Sequence, residues 1–262
     1  MKATIRKIGI IFLAVALASC AKDGEKGSES NGDEPKAEKG YATGKAVDTQ
    51  GNPIVGAYLY LQNTLFYDSY INGTTSENGT YRLQLSPGAW KVHASFKKEY
   101  NGKTYTLRLH TDNTNSFSEE GGVRNATWKL EGRDPDPSYD NSVFYGGQVD
   151  ISFYHTFPFE VQDKVEVTFT PSGPLIDGSE GKTLTLKPGD HYWSAITNRI
   201  EDIPIGRYMV TAVLKNTQGE TPLKVSDSHT ADDFAPEMQL DFISDSRQNF
   251  NPLNYAEIVI SY

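Results

Sequence analysis

Short stretches of alternating apolar and polar residues, separated by turn residues, extend along most of this 262-residue chain. Tyr81 to Leu85 and Trp90 to Ala94 alternate with a period of two, which is the period of a strand with one buried face. Asn78-Gly79 and Pro87-Gly88 stand where such strands need turns. No window of ten or more residues has a clear helical period. The pattern predicts an all-β protein.

The predicted strands fall into two series, separated by residues 133–141. This segment holds two prolines and three aspartates, a composition typical of a linker. We therefore predict a β-sandwich at 41–132, a linker at 133–141 and a second β-sandwich at 142–262. The predicted strands are Ala42–Val47, Ile54–Gln62, Gly79–Leu85, Ala89–Phe96, Thr104–His110 and Ala126–Leu130, then Val143–Phe153, Lys164–Thr170, Lys182–Lys187, Tyr208–Lys215, Met238–Ile243 and Ala256–Tyr262.

The first series carries a family resemblance, chiefly over residues 41–96. The segments Gly44 to Ala57, Thr75 to Leu83 and Leu85 to Val92 are similar to the carboxypeptidase regulatory-like domain. This resemblance implies a transthyretin-like, seven-stranded Greek-key sandwich and no catalytic residues. It implies that glycines and prolines form the turns, and that Ala57 fits between the sheets. It also implies four core side chains, Tyr81, Leu83, Trp90 and Val92.

A weak internal sequence repeat links the two series. Ser86 to Ala94 aligns with Pro204 to Ala212, so that a glycine, an aromatic residue, a valine and an alanine recur at the same offsets. Generic β alternation can also produce such a match. We predict that the second domain is a transthyretin-like or an immunoglobulin-like sandwich.

The N-terminal segment resembles the signal peptide of bacterial lipoproteins. Three basic residues precede the apolar run Ile8 to Leu17, and Leu17-Ala18-Ser19-Cys20 resembles a lipobox. The resemblance implies a signal peptide at 1–19, lipid attachment at Cys20 and anchoring in the outer membrane, because Ala21 rather than Asp follows the cysteine. Residues 20–40 are expected to be the lipidated cysteine and a disordered tether, since 21–40 offer no large apolar side chain to bury. Whether the protein faces the periplasm or the cell surface stays open.

Composition excludes several classes of function. A net charge of −9 argues against nucleic-acid binding, which needs a basic face. One cysteine excludes a disulfide framework and a cysteine zinc site. The five histidines form neither H-x-x-E nor H-E-x-x-H, so no peptidase centre is indicated. Gly181-Lys182-Thr183 resembles the end of a phosphate loop, but Ile176 stands where the first glycine is required. We expect no catalytic residue and no cofactor.

Two groups of residues remain as candidate sites. Aromatic residues near turn signals, Tyr67, Tyr70, Tyr192 and Trp193, could stack on sugars or anchor a protein contact, or could simply belong to the sandwich rim. Asp112, Asn115 and Glu119 offer the oxygen atoms that calcium prefers, but without the regular spacing of a calcium loop. The same residue types favour turns by themselves.

These observations predict a lipid-anchored, non-catalytic binding module of the cell envelope. Its partner could be a glycan, a peptide or an envelope protein. Two alternatives are a structural spacer in an outer-membrane complex and an accessory protein of a peptidase or glycan-processing system.

Overall fold

A computed structural model describes residues 34–136, 143–189, 198–245 and 252–262. These residues form two β-sandwiches, and the only helical segments among them are short 3₁₀ helices at Phe159–Lys164 and Ala231–Asp233. The all-β prediction is confirmed. No helix in the described part of the chain is long and apolar enough to cross a membrane.

The first sandwich contains nine strands, seven of them on one continuous path in the order β3-β2-β5-β6-β9-β1-β4. The path is continuous because β1 pairs with β4 over its first five residues and with β9 over its last two. The short strands β7 and β8 pair with β5 and β1. The strands are β1 (Tyr41–Val47), β2 (Tyr58–Asn63), β3 (Tyr70–Thr74), β4 (Thr80–Gln84), β5 (Ala89–Tyr100), β6 (Lys103–Thr111), β7 (Phe117–Ser118), β8 (Gly122–Val123) and β9 (Ala126–Trp128).

Alternating side chains from these strands meet in an apolar core. Ala57, Tyr81, Trp90 and Val92 are buried and Leu83 is partly buried, as predicted. Gly44, within β1, must be small, because a Cβ at this position would lie 1.9 Å from the carbonyl oxygen of Arg124. A side chain there would push β1 away from the connection between β8 and β9.

The second sandwich repeats this topology. Its main path runs β12-β11-β14-β15-β18-β10-β13, which is the first path with nine added to every strand number. One short strand differs in its pairing, since β17 lies against β18 whereas β8 lies against β1. The strands are β10 (Gly147–Phe153), β11 (Val165–Pro171), β12 (Leu184–Leu186), β13 (Arg199–Ile203), β14 (Arg207–Asn216), β15 (Gly219–Ser226), β16 (Met238–Asp241), β17 (Ile243–Asp245) and β18 (Leu253–Ser261).

The sequence repeat lies at equivalent places in the two sandwiches. Trp90 is the second residue of β5, and Tyr208 is the second residue of β14. The Trp90 indole donates a hydrogen bond to the carbonyl of Ser86 at 3.0 Å, and the Tyr208 hydroxyl donates one to the carbonyl of Pro204 at 2.7 Å. The predicted second β-sandwich is confirmed, and its strand order repeats that of the first.

Contacts extend beyond two of the predicted boundaries. Gly40, placed in the tether by the sequence, donates its amide hydrogen to the carbonyl of Glu119, and Glu38 forms a two-pronged ion pair with Arg82. Asp134 and Asp136, placed in the linker, are buried against the first sandwich. The described part of the linker is therefore not an exposed hinge, because its carboxylates pair with basic side chains of the sheet.

Candidate functional site

The outer face of the first sandwich carries a group of tyrosines. Strand β2 turns Leu59 and Leu61 into the core, so Tyr58, Tyr60 and Gln62 lie on the opposite face. Neighbouring strands add aromatic and polar side chains to this face, because the register pairs Gln62 with Tyr70 on β3 and with Lys91 on β5. The rings of Tyr60 and Tyr70 stack with their centroids 5.5 Å apart.

The β2–β3 loop, residues 64–69, extends this face with further aromatic surface. The Asn63 carboxamide oxygen accepts hydrogen bonds from the amides of Leu65 and Phe66, which folds the start of the loop into an Asx turn. Asp68 closes the loop in the left-handed backbone region at φ +53°. Most large side chains in between point outward: Leu65 is 68% exposed, Phe66 is 59% exposed and Tyr67 is fully exposed.

Loop and sheet face together border an open cavity of about 600 Å³. Polar groups stand among its aromatic walls, namely Gln62, Asp68 and the Lys91 ammonium. Lys91 forms an ion pair, in which its Nζ lies 2.9 Å from an Asp136 carboxylate oxygen. Burial, followed by the neighbouring Tyr70 and Asp68, raises the pKa of Tyr60, so its hydroxyl stays protonated at neutral pH and can donate a hydrogen bond. We refer to this surface, residues 58–70 with Lys91, as the aromatic face.

A buried polar network supports the aromatic face from the linker side. Asp136 lies 3.7 Å from the imidazole of His93, and Asp134 accepts a hydrogen bond from Arg108 at 3.3 Å. Burial lowers the pKa of His93, although Asp136 opposes this, so the ring is neutral at pH 7. The His93 ring is 6.1 Å from that of Tyr60. These contacts join the segment that carries Asp134 and Asp136 to β5 and β6, next to the tyrosines.

The structure places the predicted site residues as follows. Tyr67 and Tyr70 both lie on the aromatic face. Tyr192, Trp193 and the predicted lipid-attachment residue Cys20 lie outside the described residues.

The residues of the predicted calcium loop make hydrogen bonds within the first sandwich. The Asn115 carbonyl accepts a hydrogen bond from the Arg124 guanidinium at 2.8 Å, and the Glu119 carboxylate accepts one from the Gly88 amide at 3.4 Å. The amide of Asp112 donates to the carbonyl of Asn125. Within the ranges that the structure describes, no three His, Cys, Asp or Glu side chains group as they would around a metal ion. Calcium binding by Asp112, Asn115 and Glu119 stays a prediction.

Sequence reasoning missed the sheet half of the aromatic face. Tyr58 and Tyr60 alternate with Leu59 and Leu61, and this alternation already placed the two tyrosines on one face opposite the core. What the sequence did not show was the pairing of β2 with β3, which brings Tyr70 against Tyr60.

Comparison with known proteins gives no family for this chain. No family model matches the sequence, and no curated protein matches it. Solved structures give matches at low similarity. A single B repeat unit of the collagen-binding surface protein of Staphylococcus aureus is 11% identical, over 87% of this chain and 99% of that one, with a TM-score of 0.24.

Two structures from Bacteroides also match. A DUF3823 family protein from Bacteroides ovatus is 11% identical over 78% of this chain and 99% of that one, with a TM-score of 0.22. A leucine-rich repeat protein from Bacteroides thetaiotaomicron is 14% identical over 85% of this chain, with a TM-score of 0.25, and this chain spans only 26% of its length. All these TM-scores are far below 0.5.

Proposed function

We propose that this protein is a non-catalytic binding module whose ligand is a neutral glycan held on the aromatic face. The observation that carries the proposal is the run of exposed side chains Leu65, Phe66 and Tyr67 beside the stacked pair Tyr60 and Tyr70. Contiguous exposed apolar surface on a folded protein marks an interaction site more often than single exposed residues do.

The mixture of groups favours a sugar over a purely apolar partner. Tyrosine rings present a flat apolar surface with a polar edge, which fits the alternation of C–H and hydroxyl groups on a sugar ring. Gln62, Asp68 and Lys91 border the same cavity and supply both hydrogen-bond donors and acceptors for hydroxyl groups. A carboxylate at Asp68 disfavours acidic glycans by repulsion, so we expect the ligand to be uncharged.

A glycan array followed by calorimetric titration of the full chain tests this proposal. Replacing Tyr67→Ala should weaken binding of a neutral oligosaccharide about tenfold, because one stacked ring is lost from an open site. The matched control is Phe159→Ala, which removes another highly exposed ring (82%) from the second sandwich and should leave the affinity unchanged. Equal losses in the two variants, or no neutral glycan bound by the wild type, would contradict the proposal.

We propose in addition that the protein is anchored to the outer membrane through Cys20, on the basis of the lipobox-like sequence Leu17 to Cys20. Anchoring there would attach the first sandwich to the membrane through the predicted tether. Replacing Cys20→Ala should release the protein from the membrane fraction. A variant that still partitions fully with membranes would show that Cys20 is not the anchor.

A spacer role is the second candidate, favoured by the contacts between the sandwiches. The Tyr105 hydroxyl donates to the carbonyl of Phe242 at 2.8 Å, and the Tyr100 hydroxyl donates to that of Pro174 at 2.8 Å. Contacts of this kind restrain two domains relative to each other, as a spacer that holds its two ends a fixed distance apart requires. A spacer would co-purify with one envelope partner, and that association would survive Tyr67→Ala.

A further inference from the structure

Strand β3 ends the main path of the first sandwich, and in the described part of the chain one of its edges has no neighbouring strand. It pairs with β2 in a regular antiparallel register without a bulge. Hydrogen-bonded and non-hydrogen-bonded residue pairs alternate along such a ladder. Just beyond the two ends of β3, the Asn63 amide donates to the carbonyl of Ser69, and the Thr75 amide donates to that of Ala57. These two bonds fix the order of the alternation.

The alternation determines which backbone groups of β3 point away from β2. The odd-numbered residues from 69 to 75 bond toward β2, so the N–H and C=O groups of Tyr70, Asn72 and Thr74 point outward. All three residues are exposed. Among the residues that the structure describes, these outward backbone groups have no hydrogen-bond partner. The edge therefore offers a row of donors and acceptors to an added strand.

Strand β3 also lacks the features that usually keep an edge from pairing, which are charged side chains, proline, irregular backbone or very short length. In the described part of the chain, the two main paths end at β3, β4, β12 and β13. β4 carries the exposed Arg82, and β13 begins with Arg199 and has Asp202 in the left-handed region at φ +62°. β12 has only three residues, between Lys182 and Lys187. β3 has five residues, with neither a charge nor a proline.

A second copy of this chain fits the edge of β3 symmetrically. The antiparallel register that uses every outward group puts Asn72 opposite Asn72 of the partner copy, and Tyr70 opposite its Thr74. This arrangement has two-fold symmetry, so each strand satisfies the other equally. No charge lies within the paired segment, and Asp68 just outside it falls opposite the neutral Ser76. Pairing of β3 with another path end would bring a charged or a shorter strand against it.

We propose that two copies of this chain associate through β3, in an antiparallel pairing centred on Asn72 that joins their first sandwiches into one continuous sheet. Directly opposite residues of an antiparallel pair lie on the same face. Tyr70 and Thr74 share the face of Tyr60, so both aromatic faces stay open on the same side of the joined sheet. The paired segment is short, so we expect a weak association, roughly in the micromolar to millimolar range. This inference does not depend on the proposed glycan ligand.

Sedimentation equilibrium of the full chain, without any added ligand, tests the inference. We expect the average mass to rise toward twice that of one chain as the concentration increases from about 10 μM to about 1 mM. A mass that stays at that of one chain over this range would overturn the inference.

A lysine at the centre of the pairing tests whether β3 is the contact. Asn72→Lys puts two ammonium groups opposite each other in the pair and should weaken self-association at least fivefold, because like charges directly opposite repel. The matched control is Thr185→Lys, which adds the same charge at the middle of β12, the equivalent edge strand of the second sandwich, and should leave self-association unchanged. Self-association that is the same in wild type and Asn72→Lys, or reduced equally by both lysines, would overturn the inference.

A mixture of two variants tests the register. Asn72→Asp should also self-associate weakly, but an equimolar mixture with Asn72→Lys brings opposite charges together and should recover the wild-type affinity to within about twofold. Recovery requires both variants to be folded, so it separates repulsion from unfolding. A mixture that associates no better than its components would overturn the pairing centred on Asn72. The glycan test uses Tyr67 and a different measurement, so either proposal can fail while the other stands.

Discussion

Two loops at equivalent places in the two sandwiches differ in the exposure of their apolar side chains. The β2–β3 loop of the first sandwich exposes its apolar side chains, with Leu65 at 68% and Phe66 at 59%. The β11–β12 loop of the second sandwich, residues 172–183, buries its apolar pair, with Leu175 at 7% and Ile176 at 3%. The topology is the same on both sides of the two loops. Exposure at 65–67 is therefore a property of this loop and not of the fold.

The second loop shows what such a loop does when it serves the structure. The carbonyl of Pro174 accepts a hydrogen bond from Tyr100, and the Asp177 carboxylate accepts one from Thr49, so this loop is part of the junction with the first sandwich. Its apolar side chains complete the core. The first loop places apolar side chains in water instead, and this contrast supports assigning it to binding.

The largest expected effect tests whether the two sandwiches really use equivalent residues. Trp90→Ala and Tyr208→Ala each remove an aromatic side chain that is 1% exposed. Each should lower the free energy of unfolding by about 3–5 kcal/mol, because a large cavity is left in the core. Urea denaturation followed by circular dichroism measures the loss.

The matched controls for this pair are Trp90→Phe and Tyr208→Phe. Tyr208→Phe keeps the whole ring, Trp90→Phe keeps a six-membered ring, and both remove the hydrogen bond to the carbonyl four residues earlier. We expect Tyr208→Phe to cost about 1 kcal/mol, and Trp90→Phe to cost more than that but less than Trp90→Ala, because it also leaves a small cavity. If one alanine variant cost 3 kcal/mol or more and the other less than 1 kcal/mol, the equivalence of the two positions would be wrong.

A smaller effect separates the two loops directly. Leu175→Ala should lower the free energy of unfolding by about 2–5 kcal/mol, as is usual for a buried leucine. Leu65→Ala, at the equivalent loop, should change it by no more than about 0.5 kcal/mol, because that side chain is already in water. Denaturant midpoints of the two variants measure the difference. A large loss of stability in Leu65→Ala would show that its loop is structural and would remove the main support for the binding site.

The fold was predictable to the extent that it depends on local patterning. Strands with one buried face, such as β4 and β14, show the period-two alternation from which they were predicted. Strands β3 and β15 were missed, because in both a run of largely exposed residues conceals the pattern. The burial of two residues of the predicted linker could not be foreseen for a different reason. Aspartates in a proline-containing segment are usually exposed to solvent. Here Asp136 pairs with Lys91 and Asp134 pairs with Arg108, and only the folded sheet brings these basic side chains to them.

The candidate sites also differ in whether a local sequence pattern reveals them. Tyr67 and Tyr70 could be identified because aromatic residues close together in a turn-rich segment are a local signal. The cavity of about 560 Å³ that is lined by Arg108, Glu201 and Asn254 could not be identified, because these residues are far apart in the chain and meet only when the sandwiches dock. No periodicity or motif marks a buried glutamate on an edge strand.

The smallest expected effect compares the edge strands β4 and β13. On β4, Arg82 is exposed and pairs with Glu38, whereas on β13, Glu201 is buried with a pKa raised from 4.5 to about 7. Between these pH values the folded protein binds more protons at this residue than the unfolded chain does. The free energy of unfolding should therefore fall as pH rises from about 4.5 to about 7, by at most about 3 kcal/mol, and then level off with respect to this group.

Glu201→Gln should match the wild type near pH 5 and be more stable at pH 8, as measured by urea denaturation at the two pH values. A variant that is less stable than the wild type at pH 8 would mean that the ionised carboxylate has a stabilising partner in the fold, which would contradict this prediction.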